Sequence, residues 1–246
     1  MPEEPVHQPH DKLFKVGFGD PATAAAFLRG ELPPALAERI EWAALHPELG
    51  SFIDSQLRSS ESDLLFSAPI EGGECLVYVL FEHQVREEPM LALRLLRYMV
   101  RIWESWLKTH AESTRLPVIV PVVLAQNAKV WELSPRFADL VDTTPAIIEE
   151  VRAFVPEFSF QLIQLAAISY ASIRGTPAGV MILRTMKAER MAQLLDDPVW
   201  DETLLSVLPR EIRELLIRYL LATDVDINGF DRRVQMLRLI ELRTET

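Results

Sequence analysis

The sequence predicts an α/β protein whose C-terminal region is helical. The β-prone runs at 62–70 and 75–81 and the run at 116–125, which is rich in Val and Ile, predict strands in the first 170 residues. Beyond residue 177 the apolar positions recur only at helical spacing. A chain of 246 residues is long enough for one domain or a domain with an appendage. We therefore expect a core domain over residues 1–175 and a helical subdomain over residues 176–246.

The first elements along the chain are predicted to be short helices followed by a β-hairpin. Residues 11–28 carry helical spacing, interrupted at 17–21 by two glycines and a proline. Two prolines at 33–34 end this helical region. The runs at 62–70 and 75–81 then flank a Gly-Gly pair, which is a hairpin signal.

The remaining elements alternate before the pattern becomes helical. A helix is predicted over 89–108, a buried strand over 116–125 and a further strand over 158–168. The helices expected in the C-terminal region cover 180–195, 204–208, 211–222 and 230–242.

Composition limits the classes of function. The net charge of −11 argues against a protein that coats nucleic acid generally, because such proteins are basic. A single cysteine, Cys75, cannot form an internal disulfide, and the N-terminus lacks the pattern of a signal peptide. The most apolar stretch, 116–125, is shorter than the ~20 residues that span a bilayer. We therefore expect a cytoplasmic protein without a membrane segment.

The predicted hairpin carries carboxylates that could bind a metal ion. Asp63 begins one strand, and Glu82-His83-Gln84 ends the next. Glu82 and Gln84 share one face of the strand, and His83 points to the opposite face. If the hairpin brings Asp63 beside Glu82, their oxygens would suit Mg²⁺, which prefers hard ligands. The alternative is that both are solvated edge residues. The unbroken apolar run before Glu82 favours the metal site, because an unpaired carboxylate there is costly.

Several short segments extend this pattern across about residues 10 to 170. They are HDKLFK (10–15), SFID (51–54), SDLLF (62–66), YVLFEHQ (78–84), RLLRYM (94–99) and LP (116–117). In this order they resemble the Rpn family, also called YhgA-like transposases, which are recombination-promoting nucleases of the PD-(D/E)XK superfamily. The resemblance implies a restriction-endonuclease-like mixed sheet flanked by helices. It also implies a Mg²⁺-dependent DNA endonuclease.

The resemblance assigns roles to individual residues. The metal-binding aspartate of the family falls on Asp63, and the (D/E)-X-K element falls on Glu82-His83-Gln84. Asp63, Glu82 and Gln84 are thus the expected catalytic residues, with Asp63 and Glu82 as metal ligands. Gln84 stands where the superfamily has a lysine; it carries no charge but could orient a water molecule. Asp11 is a possible accessory acidic residue, although a role at a helix start fits it equally well.

The helix predicted at 89–108 carries cations that could contact a nucleic-acid partner. Arg94, Arg97 and Arg101, followed by Lys108, form a row beside its apolar face. Phosphates of DNA would need such cations near a metal site. A solvated flank, paired in part with Glu104, is the alternative.

Other hypotheses remain open. The chain could keep the nuclease fold without cleavage and act as a DNA-binding or assembly module, as Gln84 and the unusual loop at 124–128 suggest. The apolar stripes of the helical C-terminal region could also form a homo-oligomer. The segment 224–229 resembles the start of an EF-hand loop, but Gln235 occupies the position of the required glutamate. A turn explains that segment better.

Overall fold

The structure is a computed structural model that describes residues 9–48, 64–71, 76–142, 144, 147–194 and 196–222, with residues 76–82 described by their backbone. The helices are α1 Pro9–Phe18, α2 Pro21–Glu31, α3 Pro34–Ala37, α4 Leu91–Thr109, α5 Ile148–Val151, α6 Pro177–Arg190, α7 Glu202–Ser206 and α8 Arg210–Ala222. The strands are β1 His46–Pro47, β2 Leu64–Pro69, β3 Leu76–Gln84, β4 Val118–Ala125 and β5 Gln161–Gln164. No described helix is both long enough and apolar enough to cross a membrane.

The chain divides into two compact units. The helical unit contains the described residues of Met1–Glu38, Gln126–Lys129 and Leu165–Thr246. The sheet unit contains those of Arg39–Ala125 and Val130–Gln164. The N-terminal helices therefore group with the C-terminal helices. The division expected at residue 175 differs from this grouping and stays a prediction.

The sheet unit is built on one mixed sheet in the order β1-β2-β3-β4-β5. β2 pairs with β1 and with β3 in antiparallel fashion, whereas β4 pairs in parallel with both β3 and β5. β3 thus lies between an antiparallel and a parallel neighbour. The predicted α/β class and the predicted hairpin pairing are confirmed by this sheet.

Helix α4 supplies the sheet unit with much of its core. Leu91, Leu95, Tyr98 and Ile102 recur at helical spacing and are all buried. They belong to one apolar cluster with residues of the strands and of the segment that follows β4. Members from outside α4 include Leu65, Ile119, Val123, Trp131, Phe137 and Phe160.

In the helical unit, side-chain caps define where helices begin. Asp20 accepts a hydrogen bond from Thr23 N at the start of α2, and Thr176 accepts one from Gly179 N at the start of α6. The Thr23 and Thr176 hydroxyls lie 3.0 Å apart, which links the two caps. The cap at Thr176 explains why α6 begins at Pro177, before the predicted residue 180.

One predicted strand is shorter than expected. The sequence predicts a strand over 158–168, but β5 covers only Gln161–Gln164. The backbone of Phe158 and Phe160 bonds instead to Phe137 and Pro135, and a 3-10 turn begins at Leu165. The helix predicted at 230–242 and the segment 224–229 lie outside the described residues.

Candidate active site

The candidate site lies at the C-terminal end of β3. The parallel register pairs Glu82 with Val123, His83 with Leu124 and Gln84 with Ala125, which are the last residues of β4. His83 is 2% exposed, whereas Gln84 is partly exposed. This difference agrees with the strand period, by which residues 83 and 84 point to opposite faces. That positions 82 and 84 share one face stays a prediction from the same period.

Gln84 is held by a basic residue of α4. Arg94 Nη2 donates a hydrogen bond of 2.9 Å to Gln84 Oε1, and Gln84 Nε2 donates one of 3.0 Å to the carbonyl oxygen of Arg86. Arg94 Nη2 also lies 3.0 Å from Glu88 Oε2. Only 18% of the Arg94 side chain is exposed. The end of β3, the following turn and the first turns of α4 are thus joined by one polar chain.

The other cations of α4 have a different environment. Arg97, Arg101 and Lys108 are exposed. Arg101 Nη1 pairs with Glu104 Oε2 at 3.0 Å, which agrees with the partial neutralisation considered from the sequence. Arg94 is therefore set apart from the exposed row, although sequence spacing places it there.

The carboxylates of the expected metal site are described only in part. Asp63 lies outside the described residues, and Glu82 is described by its backbone. The antiparallel register ends at Leu64 paired with Phe81, one residue along the sequence from each of the two acids. Among the described residues, no group of three or more His, Cys, Asp or Glu side chains is arranged to hold a metal ion. The Mg²⁺ site at Asp63 and Glu82 therefore stays a prediction.

The proposed accessory residue belongs to the helical unit. Asp11 lies in the first turn of α1 and is 6% exposed. Its role remains a prediction.

Sequence reasoning missed a polar cluster on β1 and β2. Ser67 Oγ lies 2.8 Å from His46 Nε2 and donates to Glu48 Oε1 at 2.5 Å. His46 Nε2 is 3.4 Å from Glu48 Oε1, and its Nδ1 is 3.2 Å from the Ala44 carbonyl oxygen. The alternation of His46 and Glu48 was the available signal, since residues two apart share a strand face. Their partner on β2, Ser67, could be identified only from the register in which β1 pairs with β2.

A second missed cluster lies in the helical unit and includes a residue of the unusual loop. Gln126 Nε2 donates to the Met186 carbonyl oxygen at 2.8 Å and lies 3.4 Å from His10 Nδ1. His10 Nδ1 is also 2.6 Å from Tyr219 Oη, and His10 Nε2 is 3.9 Å from Glu189 Oε1. These contacts tie α1, α6 and α8 together. Gln126, which belongs to the unusual loop at 124–128, thus helps to hold these helices together.

Burial shifts the titration of this second cluster. Desolvation raises the pKa of Glu189, and the Arg190 guanidinium opposes the rise only in part. Desolvation, followed by the nearby Glu189 carboxylate, also raises the pKa of Tyr219. Lys187, on the same helix as Glu189, has a pKa lowered by burial while its Nζ donates to the Leu165 carbonyl oxygen at 2.7 Å. Each shift reflects burial first.

Comparison with known proteins supports the resemblance seen in the sequence. The family described as "Putative transposase, YhgA-like" matches residues 8–214. The chain is 35% identical over 136 residues to recombination-promoting nuclease RpnD of Escherichia coli O157:H7, covering 53% of this chain and 52% of the relative. It is 33% identical over 139 residues to recombination-promoting nuclease RpnC of Escherichia coli K12, covering 56% and 46%. The chain spans about half the length of these curated relatives.

Not every relative is named as an active enzyme. The "Putative inactive recombination-promoting nuclease-like protein YjiP" of Escherichia coli K12 is 40% identical over 94 residues, covering 38% of this chain and 91% of the relative. No solved structure matches the chain significantly, so the restriction-endonuclease-like assignment of the sheet stays a prediction. The match to the family extends over most of the sequence, from α1 into α8. This chain belongs to the YhgA-like transposase family, with Rpn recombination-promoting nucleases among its relatives.

Proposed function

We propose that the protein is a Mg²⁺-dependent DNA endonuclease that hydrolyses phosphodiester bonds. The observation that carries the proposal is at the end of β3, where the side chain of Gln84 is hydrogen-bonded to Arg94. The strand period predicts that position 82 lies on the same face as position 84. The relatives named as recombination-promoting nucleases support the reaction class. The family resemblance supplies the assignment of positions 63, 82 and 84.

The residues present suit the proposed ion. Asp63 and Glu82 offer carboxylate oxygens, the hard donors that Mg²⁺ prefers, and they would hold it with several waters. When bound, Mg²⁺ would polarise a phosphoryl oxygen and lower the pKa of a coordinated water. Gln84 would orient the attacking water by hydrogen bonding. The exposed Arg97 and Arg101 would contact the phosphate backbone of the DNA.

A second candidate function is DNA binding or assembly without cleavage. Two observations favour it: Gln84 stands where the superfamily has a lysine, and the relative YjiP is named as "putative inactive". In this case Arg97 and Arg101 would still bind DNA, but the site at β3 would not cut it. Association through the helical C-terminal region belongs to this candidate, and light scattering at micromolar concentration would detect the resulting oligomer.

Incubation of the purified protein with supercoiled plasmid separates the two functions. We expect nicked plasmid in Mg²⁺ and none in chelator. Glu82→Gln should abolish nicking, while the matched surface variant Glu132→Gln should leave it unchanged, because Glu132 is exposed and distant in sequence from the site residues. A plasmid that is bound and retarded in a gel but remains uncut in Mg²⁺ would favour the second function. Nicking that persists in chelator would contradict the metal-dependent mechanism.

A further inference from the structure

With Gln84 at the position of the superfamily's lysine, the proposed reaction lacks one positive charge at this point of the site. In the superfamily pattern a lysine occupies this position, and an ammonium group stabilises the charge that develops on the phosphoryl oxygens. A neutral amide can donate a hydrogen bond to such an oxygen, but it brings no positive charge. A cation within reach of Gln84 would supply that charge.

Arg94 meets this requirement. Its Nη2 lies 2.9 Å from Gln84 Oε1, a normal length for a charge-assisted hydrogen bond. The guanidinium remains ionised at any ordinary pH. With 18% of its side chain exposed, Arg94 is shielded from solvent more than the exposed Arg97 and Arg101, so its charge is screened less. Glu88 Oε2 lies 3.0 Å from the same Nη2, so this carboxylate holds the guanidinium in place and offsets its charge in part.

The same contacts determine how the amide of Gln84 is oriented. Arg94 offers only donors, so it must face the amide oxygen, and the carbonyl oxygen of Arg86 accepts only, so it must face the amide nitrogen. Among the described residues, these two contacts leave one lone pair on Oε1 and one N–H on Nε2 available. Donation from Arg94 draws electron density from Oε1 and strengthens the remaining N–H as a donor.

We propose that Arg94 is a positioning residue of the phosphodiester reaction, and that Arg94 and Gln84 together replace the lysine of the superfamily pattern. Arg94 locks the amide in one orientation and supplies the positive charge, and Gln84 presents its remaining N–H or lone pair to the phosphate and the attacking water. This inference rests on the proposed endonuclease function. It distinguishes Arg94 from Arg97, whose exposed side chain would serve binding.

Steady-state nicking of plasmid by the full chain in Mg²⁺ tests this inference. Arg94→Ala should lower kcat about 100-fold, the loss typical of one transition-state donor, with KM changed less than about twofold. Arg97→Ala should instead raise KM and leave kcat intact. Arg94→Lys keeps the charge but loses the planar donor geometry, so kcat should fall to an intermediate value.

A rescue variant separates positioning from structural support. Adding Gln84→Lys to Arg94→Ala places the charge directly at position 84, so kcat should recover at least about tenfold over Arg94→Ala alone. Gln84→Lys in the presence of Arg94 should lower kcat, because two like charges would then lie side by side. Circular dichroism of each variant is the control that tests whether the fold is retained.

Three results would overturn the inference. In the first, Arg94→Ala changes KM alone, as Arg97→Ala does. In the second, the double variant is no faster than Arg94→Ala although both proteins are folded. In the third, the unsubstituted protein fails to nick DNA at all, which overturns the proposed function itself and is recognised before any variant is compared.

Discussion

The buried hydroxyl of Ser67 is the hydrogen-bond partner that two neighbouring side chains share. Ser67 is fully buried, and its Oγ contacts both His46 and Glu48. A hydroxyl has one proton, and Ser67 donates it to the Glu48 carboxylate. His46 Nε2 then donates to Ser67 Oγ, so the hydroxyl links the ring to the Glu48 carboxylate.

Removal of this hydroxyl should destabilise the protein. Ser67→Ala leaves the Glu48 carboxylate and the His46 ring without their shared partner, and we expect the free energy of unfolding to fall by about 1–3 kcal/mol. Ser206→Ala, at an exposed position, is the matched control and should change it by less than about 0.5 kcal/mol. Urea unfolding measures both. Equal effects of the two substitutions would show that the cluster contributes nothing specific.

Glu189 makes stability depend on pH. Its folded pKa lies above the ordinary 4.5 because burial disfavours the carboxylate. The folded state therefore binds its proton more tightly than the unfolded chain, and stability falls as the pH rises from 4.5 through the folded pKa. Below 4.5 the unfavourable contribution is absent.

Glu189→Gln should remove this dependence. The free energy of unfolding of the natural protein minus that of the variant should fall as the pH rises from 4.5 through the folded pKa. Urea unfolding at a series of pH values on both sides of 4.5 measures the difference. A difference that stays constant, or that rises with pH, would contradict the assignment.

For single residues, the sequence predicts those features that depend on one strand alone. The opposite faces of His83 and Gln84 follow from strand period alone, and the burial of His83 beside the partly exposed Gln84 agrees with them. The contact of Gln84 with Arg94 could not be predicted, because it depends on how the turn at 85–90 returns the chain to β3. Spacing along α4 placed Arg94 with the exposed arginines.

At the scale of elements, helix α4 is the clearest case of a sequence pattern that predicts packing. The residues at helical spacing are buried, and the positions on the opposite face are exposed. Strong periodicity over 19 residues left little ambiguity. The predicted strand at 158–168 lacked such a pattern, and its length was decided by backbone bonds to residues 135–137, which no local pattern encodes.

The two faces of α4 should respond differently to truncation. Leu95→Ala empties a fully buried position of the apolar cluster and should cost about 2–5 kcal/mol of stability. Val100→Ala, on the same helix but 41% exposed, should cost less than about 1 kcal/mol. Urea unfolding of both variants tests the orientation of the helix. A larger loss at Val100 than at Leu95 would mean that the burial of α4 is wrongly described.

At the scale of the whole molecule, the net charge of −11 opposes the proposed binding of DNA. Helix α4 nevertheless exposes three cations, Arg97, Arg101 and Lys108. Glu104 neutralises Arg101 in part. The global sign of the charge therefore does not describe this surface. Composition could exclude general coating of nucleic acid, but it could not locate a cationic face.

Binding of DNA through so few cations should be weak and sensitive to salt. Fluorescence anisotropy with a labelled duplex at increasing salt should give a linear loss of log affinity with log salt concentration. Arg97→Ala should reduce the slope by about 1, because one phosphate contact is lost. A slope that is unchanged in this variant would place the DNA elsewhere on the protein.

We propose that a carboxylate site at the end of β3 cuts DNA with the help of Mg²⁺. The most direct measurement is the rate of plasmid nicking in Mg²⁺ by Asp63→Ala beside the natural protein, with Asp142→Ala as the matched control at an exposed position. We expect Asp63→Ala to be folded but inactive, whereas Asp142→Ala should nick at the rate of the natural protein. Undiminished nicking by folded Asp63→Ala would contradict the proposed site.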